Sequence, residues 1–329
     1  VVSATVLDAL ADALGGRAER DVPLGARTTY RVGGPAALWI EVDDEADLVA
    51  VHRALAAVGA PVPLLVVGKG SNLLVADAGF PGLVVALGPG FTWVELGDTW
   101  ARAGGATGYP VLARQSAAAG LRGLEWAVGV PGSVGGALRM NAGGHGSDTA
   151  SVLDGFRVVD LTSGVAEDRP AAALAPAYRR SALGPAEVVV WARFALVPGD
   201  RDAAQAAIAE IVRWRRANQP GGSNAGSVFT NPPAAPAGRL IEEAGCKGRR
   251  LGSAMVSDKH ANFIQADEGG SADDVRRLID EVRAAVAARA GIELVPELRM
   301  VGFPDSPLPL VQAGAPAGEQ PSSCSGGRE

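Results

Sequence analysis

Glycine constrains this chain more than any other residue type. It holds 44 of 329 positions, about 13%, against a usual share of about 7%. The glycines follow no Gly-x-y period, which excludes a collagen-like rod. They lie among apolar runs, which excludes one long flexible linker. A chain of this kind must fold through many tight turns or close backbone approaches. The densest stretches are Gly68-Lys69-Gly70-Ser71-Asn72, Gly129-Val130-Pro131-Gly132-Ser133-Val134-Gly135-Gly136 and Gly143-Gly144-His145-Gly146.

The remaining composition narrows the class. With 47% hydrophobic and 20% charged residues, the chain reads as a globular protein of two or three domains. A net charge of −6 argues against a nucleic-acid partner. Cys246 and Cys324 are too few for a disulfide framework or a cysteine zinc site, and His52, His145 and His260 lack ligand spacing, so no metal is expected. No apolar run reaches the roughly 18 residues of a membrane span. The first residues carry no basic and apolar leader pattern, so the expected location is cytoplasmic. Only Lys69, Lys247 and Lys259 are lysine; every other basic residue is arginine.

Apolar spacing and capping residues predict the elements. Residues 4–14 read as a helix stopped by Gly15-Gly16, and 35–42 as a strand. Asp43-Asp44 then caps a helix running to Gly59, with Leu48, Val51, Leu55 and Val58 on one face. Residues 63–67 and 83–87 read as strands, 93–106 and 111–119 as helices, and 156–161 and 187–197 as strands. Past the change of character at Pro198-Gly199-Asp200, a helix is expected to 217 and another at 239–244. A strand at 262–266, a helix at 272–289 capped by Ser271 or Asp273, and a strand near 297–303 complete the pattern. The organisation expected is an N-terminal helix (1–24), an α+β domain (25–198), a second domain (199–303) and a disordered tail (304–329) carrying Cys324.

Two glycine loops are candidate ligand cradles. The first, 68–74, follows a strand, so its backbone N–H groups can meet a phosphate. It is not a Walker A loop, because Gly70 follows Lys69, and not a dinucleotide fingerprint, because Leu73 holds the third glycine position. The second, 129–143, joins five glycines to Ser133 and Asn141. Together they suit one diphosphate gripped from two sides, and a flavin dinucleotide on a non-Rossmann fold is the leading chemistry. Arg179 in Tyr178-Arg179-Arg180-Ser181 can fork a carboxylate, although in an arginine-rich chain a surface role is the commoner one. Ser227, in Gly226-Ser227-Val228-Phe229-Thr230-Asn231, has no neighbouring His and is no hydrolase nucleophile; it reads as a turn residue or a proton donor. Glu293 and Glu297 are separated by Pro296, so they need not share a face. Lys259, His260 and Asn262 can hold a phosphorylated ligand.

These motifs occur in order: GKGSNLL, GVPGSVGGA with MNAGGHG, YRRS, AGSVFTNP, GCKG, SDKHANF and PELRMVGF. The combination closely resembles the UDP-N-acetylenolpyruvoylglucosamine reductase family over residues 27–303, in its shorter form without an extra tyrosine-bearing loop. The resemblance implies an α+β, vanillyl-alcohol-oxidase (PCMH) type FAD-binding fold in two subdomains with a C-terminal substrate domain. It implies non-covalent FAD held by Tyr30, Arg31, Gly33, Gly34, Gly68, Lys69, Gly70, Ser71, Asn72, Leu73, Gly129, Pro131, Gly132, Ser133, Gly135, Gly136, Asn141 and Gly143, with NADPH as hydride donor. The substrate implied is UDP-GlcNAc-enolpyruvate, bound through Tyr178, Asn231, Lys247, Lys259, His260 and Asn262, with the protein a monomer. Arg179 and Glu297 would stabilise the developing charge and Ser227 would give the proton. Thr230 departs from the family, which often has lysine there. The rival readings are a flavin oxidase of the same fold, acting on an alcohol or sugar, and a catalytically silent nucleotide-sugar binder.

Overall fold

A computed structural model describes residues 3–306 and 308–314. The first unit contains α1 (Ala4–Ala13), β1 (Glu19–Val22), β2 (Ala36–Val42), α2 (Glu45–Val58), β3 (Val62–Val67), β4 (Leu73–Val75) and β5 (Phe80–Leu87). β2, β5 and β3 are parallel neighbours, and β1 adds an antiparallel edge. The helix α2 starts where Asp44 accepts a hydrogen bond from the Asp47 N–H and ends at Gly59, which is left-handed at φ +65°. Such a cap contributes about 1 kcal/mol. The face carrying Leu48, Val51 and Leu55 packs on Leu38, Ile40, Leu83 and Val85.

The second unit runs through β6 (Val94–Leu96), β7 (Trp100–Gly104), α3 (Tyr109–Ala118), β8 (Leu121–Arg122), α4 (Val134–Arg139), β9 (Gly143–Gly144), β10 (Ser147–Asp148), β11 (Leu153–Asp160), β12 (Ala166–Pro170), β13 (Glu187–Ala195), β14 (Val197–Pro198) and α5 (Arg201–Asn218). Its antiparallel sheet is ordered β12-β11-β13-β7-β6. The helix expected over 93–106 is therefore two strands. Ala101 and Ala103 are buried while Arg102 ion-pairs outside, a period of two written in alanine, whose own bias is helical. The helix after Asp200 is present, but Ala204 and Ile208 bury it in this unit's core. The change in composition at 198–200 and the change in packing thus fall at opposite ends of α5.

The third unit holds α6 (Ala237–Glu243), β15 (Arg250–Leu251), β16 (Ala254–Val256), β17 (Ile264–Ala266), α7 (Ala272–Ala290) and β18 (Arg299–Val301). α7 covers the β15-β16-β17 sheet through Val275, Leu278, Ile279 and Val282. Ser271 is its N-cap, and Asp77 of the first unit accepts hydrogen bonds from the Ser271 hydroxyl and the Ala272 N–H. β18 leaves its own unit and pairs in parallel with β4, Arg299 opposite Leu73. The core of the third unit takes in Tyr30, Val32, Leu74 and Ala76 from the first.

Part of the expected tail is structured. β19 (Leu310–Val311) pairs antiparallel with β3, Val311 and Ala313 are buried, and Gly314 N–H donates to Thr162 O. An open sheet edge and two small apolar side chains suffice to fix a segment otherwise rich in Pro and Gly. Residues 315–329, with Cys324, lie outside the described residues.

Candidate active site

The two glycine loops face each other. Ser71 Oγ donates to the Pro131 carbonyl at 3.0 Å. A Cβ on Gly68 would stand 2.3 Å from Ser133 Oγ, and one on Gly132 would stand 2.8 Å from Ser71 Oγ. Gly132, at φ +123°, also needs glycine for its backbone. Ser133 caps α4, its hydroxyl accepting from Gly136 N–H at 3.3 Å. A cleft opens beside this junction. Its wall is apolar, from Val66, Leu87, Ala106 and Val189, and Gly68, Lys69, Gly135, Gly136, Arg139 and Glu187 add polar groups. Gly105 lies in the wall with no room for a side chain, since a Cβ would be 2.0 Å from Val189 O.

On the other side of the first loop, Asn72 Nδ2 donates to the Glu297 carbonyl at 3.1 Å, and Arg299 N–H donates to Asn72 O. Glu297 N–H donates to Val228 O at 2.8 Å, which joins it to the Ser227 loop. Arg179 comes from the second unit, and its Nε stands 3.1 Å from Glu297 Oε1 without hydrogen-bond alignment. Arg179 and Glu297, distant in sequence, thereby meet beside the backbone of the Ser227 loop. Burial pushes the Glu297 carboxyl above its ordinary range, although Arg179 pulls the other way. Arg179 itself is left-handed at φ +58°, and Gly143 leaves room for it, a Cβ there lying 3.1 Å from Arg179 Nη1. Arg31 and Asn141 also have positive φ. Asp21, His145 and Ala175, none of them an expected site residue, share that conformation, so it does not by itself single out the site.

Several expected ligand residues also serve the scaffold. Tyr30 is fully buried in the core shared by the first and third units, its hydroxyl without a partner. Leu73 is a core residue of β4. Gly33 and Gly34 are glycine because Val75 O and Asp77 O press on them at 2.2 and 2.3 Å from a notional Cβ. Gly70 similarly packs on Thr28, and the Gly129 carbonyl accepts from Arg215. Asn141 spends its amide on Asp148, Ala177 O and Ala150 N–H, so it positions the turn leading to Arg179. Asn262 clamps Phe229 from both sides, accepting from its N–H at 3.0 Å and donating to its carbonyl at 2.8 Å. Asn262 therefore sets the Ser227 loop.

The remaining expected substrate residues stand apart from the cleft wall. Asn231 accepts from Ala237 N–H at the start of α6, and Lys247 pairs with Glu242. Lys259 Nζ donates to Arg216 O. His260 accepts from Asn262 N–H, packs edge-on against Phe263 and has its pKa lowered by burial. Tyr178 is exposed, with the Arg179 guanidinium 5.1 Å from its ring centre. Sequence reasoning missed Arg139 and the bridging role of Asn72. An arginine inside an otherwise small and apolar glycine segment was the available signal for Arg139.

Comparison with known proteins gives two family matches. Residues 36–167 match the model of an FAD-binding domain family, and residues 218–301 match that of the UDP-N-acetylenolpyruvoylglucosamine reductase C-terminal domain. A protein named UDP-N-acetylenolpyruvoylglucosamine reductase from Heliobacterium modesticaldum is 45% identical over 283 residues, covering 85% of this chain and 89% of that one. The protein of the same name from Acidiphilium cryptum is 43% identical, over 88% of this chain and 93% of its own. The crystal structure of the reductase from Thermus caldophilus superposes with a TM-score of 0.76 at 36% identity, over 87% of this chain and 99% of that one. Among the described residues, no helix is long and apolar enough to cross a membrane.

Proposed function

The chain belongs to the UDP-N-acetylenolpyruvoylglucosamine reductase family, FAD-dependent oxidoreductases, and from that premise we propose that it uses NADPH to reduce UDP-GlcNAc-enolpyruvate to UDP-N-acetylmuramate, in the cytoplasm, for peptidoglycan precursor synthesis. The observation that carries this reading is the meeting of Arg179 with Glu297, 3.1 Å apart, beside the Ser227 loop and a cleft shaped by two glycine loops. The cleft suits a dinucleotide: Gly68, Gly135 and Gly136 expose backbone bare of side chains, Lys69 and Arg139 add positive charge, and the wall is apolar. Gly68, Lys69, Ser133, Gly135 and Gly136 would hold the cofactor. FAD, when bound, relays the hydride from NADPH to the enolpyruvyl double bond.

The chain's own groups do the rest. Arg179 presents a fixed positive charge where the substrate carboxylate gains electron density, which lowers the barrier without reorganisation. Glu297, favoured in its protonated form by burial, can donate to the same oxygen and is oriented through Asn72 and Val228. The Ser227 hydroxyl gives a proton to the substrate carbon alpha to the carboxylate. Asn262 and Asn141 touch no substrate in this reading; they hold the loops that carry Ser227 and Arg179.

The test is direct. Purified protein should release yellow flavin on denaturation, and NADPH oxidation should depend on the enolpyruvyl nucleotide. A colourless protein that takes no hydride from NADPH would overturn the assignment. Ser227→Ala should keep flavin reduction by NADPH and stall the enolpyruvyl half-reaction; an equal fall in both half-reactions would remove Ser227 as proton donor.

A further inference from the structure

One side chain in the cleft wall has no part in the reading above. Arg139 ends α4, and its guanidinium donates to two backbone carbonyls, Leu183 O at 3.0 Å and Glu187 O at 2.6 Å. Among the described residues no carboxylate lies within ion-pair distance of it. The neighbouring carboxylate of Glu187 is already committed, one oxygen to Arg169 and the other to Gly184 N–H. A guanidinium has five N–H donors, so those not used on the two carbonyls are available where Arg139 lines the cleft. A half-buried cation of this kind is better accommodated once a counter-charge arrives. Of the arginines without an ion pair among the described residues, Arg139 is the one that lines the cleft, where an anionic dinucleotide would lie.

We propose that Arg139 is a cofactor-binding residue, donating to the diphosphate-bearing adenylate half of FAD and serving as its counter-charge. This deepens the cofactor assignment and rests on FAD occupying the cleft. The adenylate half follows from placement. The flavin ring must reach Arg179, Ser227 and Glu297, none of which lines the cleft wall that Arg139 shares with Val66 and Val189. The opposite end of an extended dinucleotide is what that wall receives. Burial, with Arg299 nearby and Glu187 opposing, pushes the Arg139 pKa down to about 10, the direction expected of a cation whose counter-charge has yet to bind. Lys69, at the same cleft, adds charge from a more exposed position.

The experiment measures binding of FAD, ADP and riboflavin to the flavin-free full chain for the wild type, Arg139→Met, Arg139→Gln and Arg139→Lys, with melting temperatures alongside. Arg139→Met and Arg139→Gln should weaken FAD and ADP alike, by about tenfold or more. Riboflavin, which has no diphosphate, should bind within about twofold of the wild type, and Arg139→Lys should recover most of the ADP affinity. A staple that merely tied Leu183 and Glu187 to α4 would lower the melting temperature and leave the ADP-to-riboflavin ratio unchanged. That result, or undiminished ADP affinity in either folded neutral variant, overturns the proposal. A wild type that fails to bind FAD would instead overturn the cofactor assignment.

Discussion

The two ends of the site are built differently. At the cleft, two sequence-contiguous loops work through backbone, and their glycines are dictated by clearances such as the 2.3 Å between a notional Gly68 Cβ and Ser133 Oγ. At the reacting end, side chains from the second and third units converge: Arg179, the Ser227 loop and Glu297, with Asn72 of the first loop bonded behind. A backbone cradle tolerates little added volume but depends weakly on side-chain identity. A convergence of side chains tolerates some movement of the chain but fails when one group is removed. The two ends should therefore fail in distinguishable ways.

The largest expected effect sharpens this contrast. Arg179→Met should slow the enolpyruvyl half-reaction by about 10²–10³-fold, the usual cost of one preorganised charge, while flavin stays bound. Stopped-flow measurement of each half-reaction checks it, and loss of flavin from this variant would break the division. At the cleft, Gly105→Ala forces a Cβ to within 2.0 Å of Val189 O. It should destabilise the protein by about 1–3 kcal/mol and shed flavin, while molecules that keep flavin turn over normally. Asn262→Ala tests the support of the reacting end. It leaves Phe229 N–H and carbonyl unpaired in a buried site, which should cost about 1–3 kcal/mol by chemical denaturation and lower the rate through Ser227 without weakening FAD.

The smallest effect concerns pH. Burial, opposed by Arg179, raises the pKa of Glu297 in the folded state. A raised carboxyl favours the folded state when protonated, so that contribution is present below the ordinary carboxylate range and is lost as pH rises through the raised value. Glu297→Gln, which stays neutral, should therefore gain melting temperature relative to the wild type as pH rises above the ordinary carboxylate range. A gap that does not change with pH would place Glu297 in a more solvated environment than its burial indicates.

Much of the fold was legible because local rules were obeyed. The helices after Asp44, Asp200 and Ser271 begin at capping residues and carry apolar faces at helical spacing. The strands at β6 and β7 were misread because alanine, chosen there for the tight space beneath the sheet, carries a helical bias of its own. β19 was missed because a two-residue edge strand gains its stability from the strand it joins. In the site, the glycine loops were legible as loops. The division of labour within them was not: Tyr30, Gly33, Gly34, Leu73, Asn141 and Asn262 share motifs with the site, yet the structure uses them for packing and for clamping loops.

The sequence by itself determined where the backbone must turn and approach closely, because glycine and capping preferences act over a few residues. It also carried, through motif order, the family. Only the tertiary structure decided which polar groups were already spent. Hydrogen-bond partners such as Asn262 with Phe229, and ion pairs such as Arg179 with Glu297, are chosen by chain segments brought together from far apart in sequence. A half-buried Arg139 with no ion-pair partner among the described residues is visible only once those partners have been assigned.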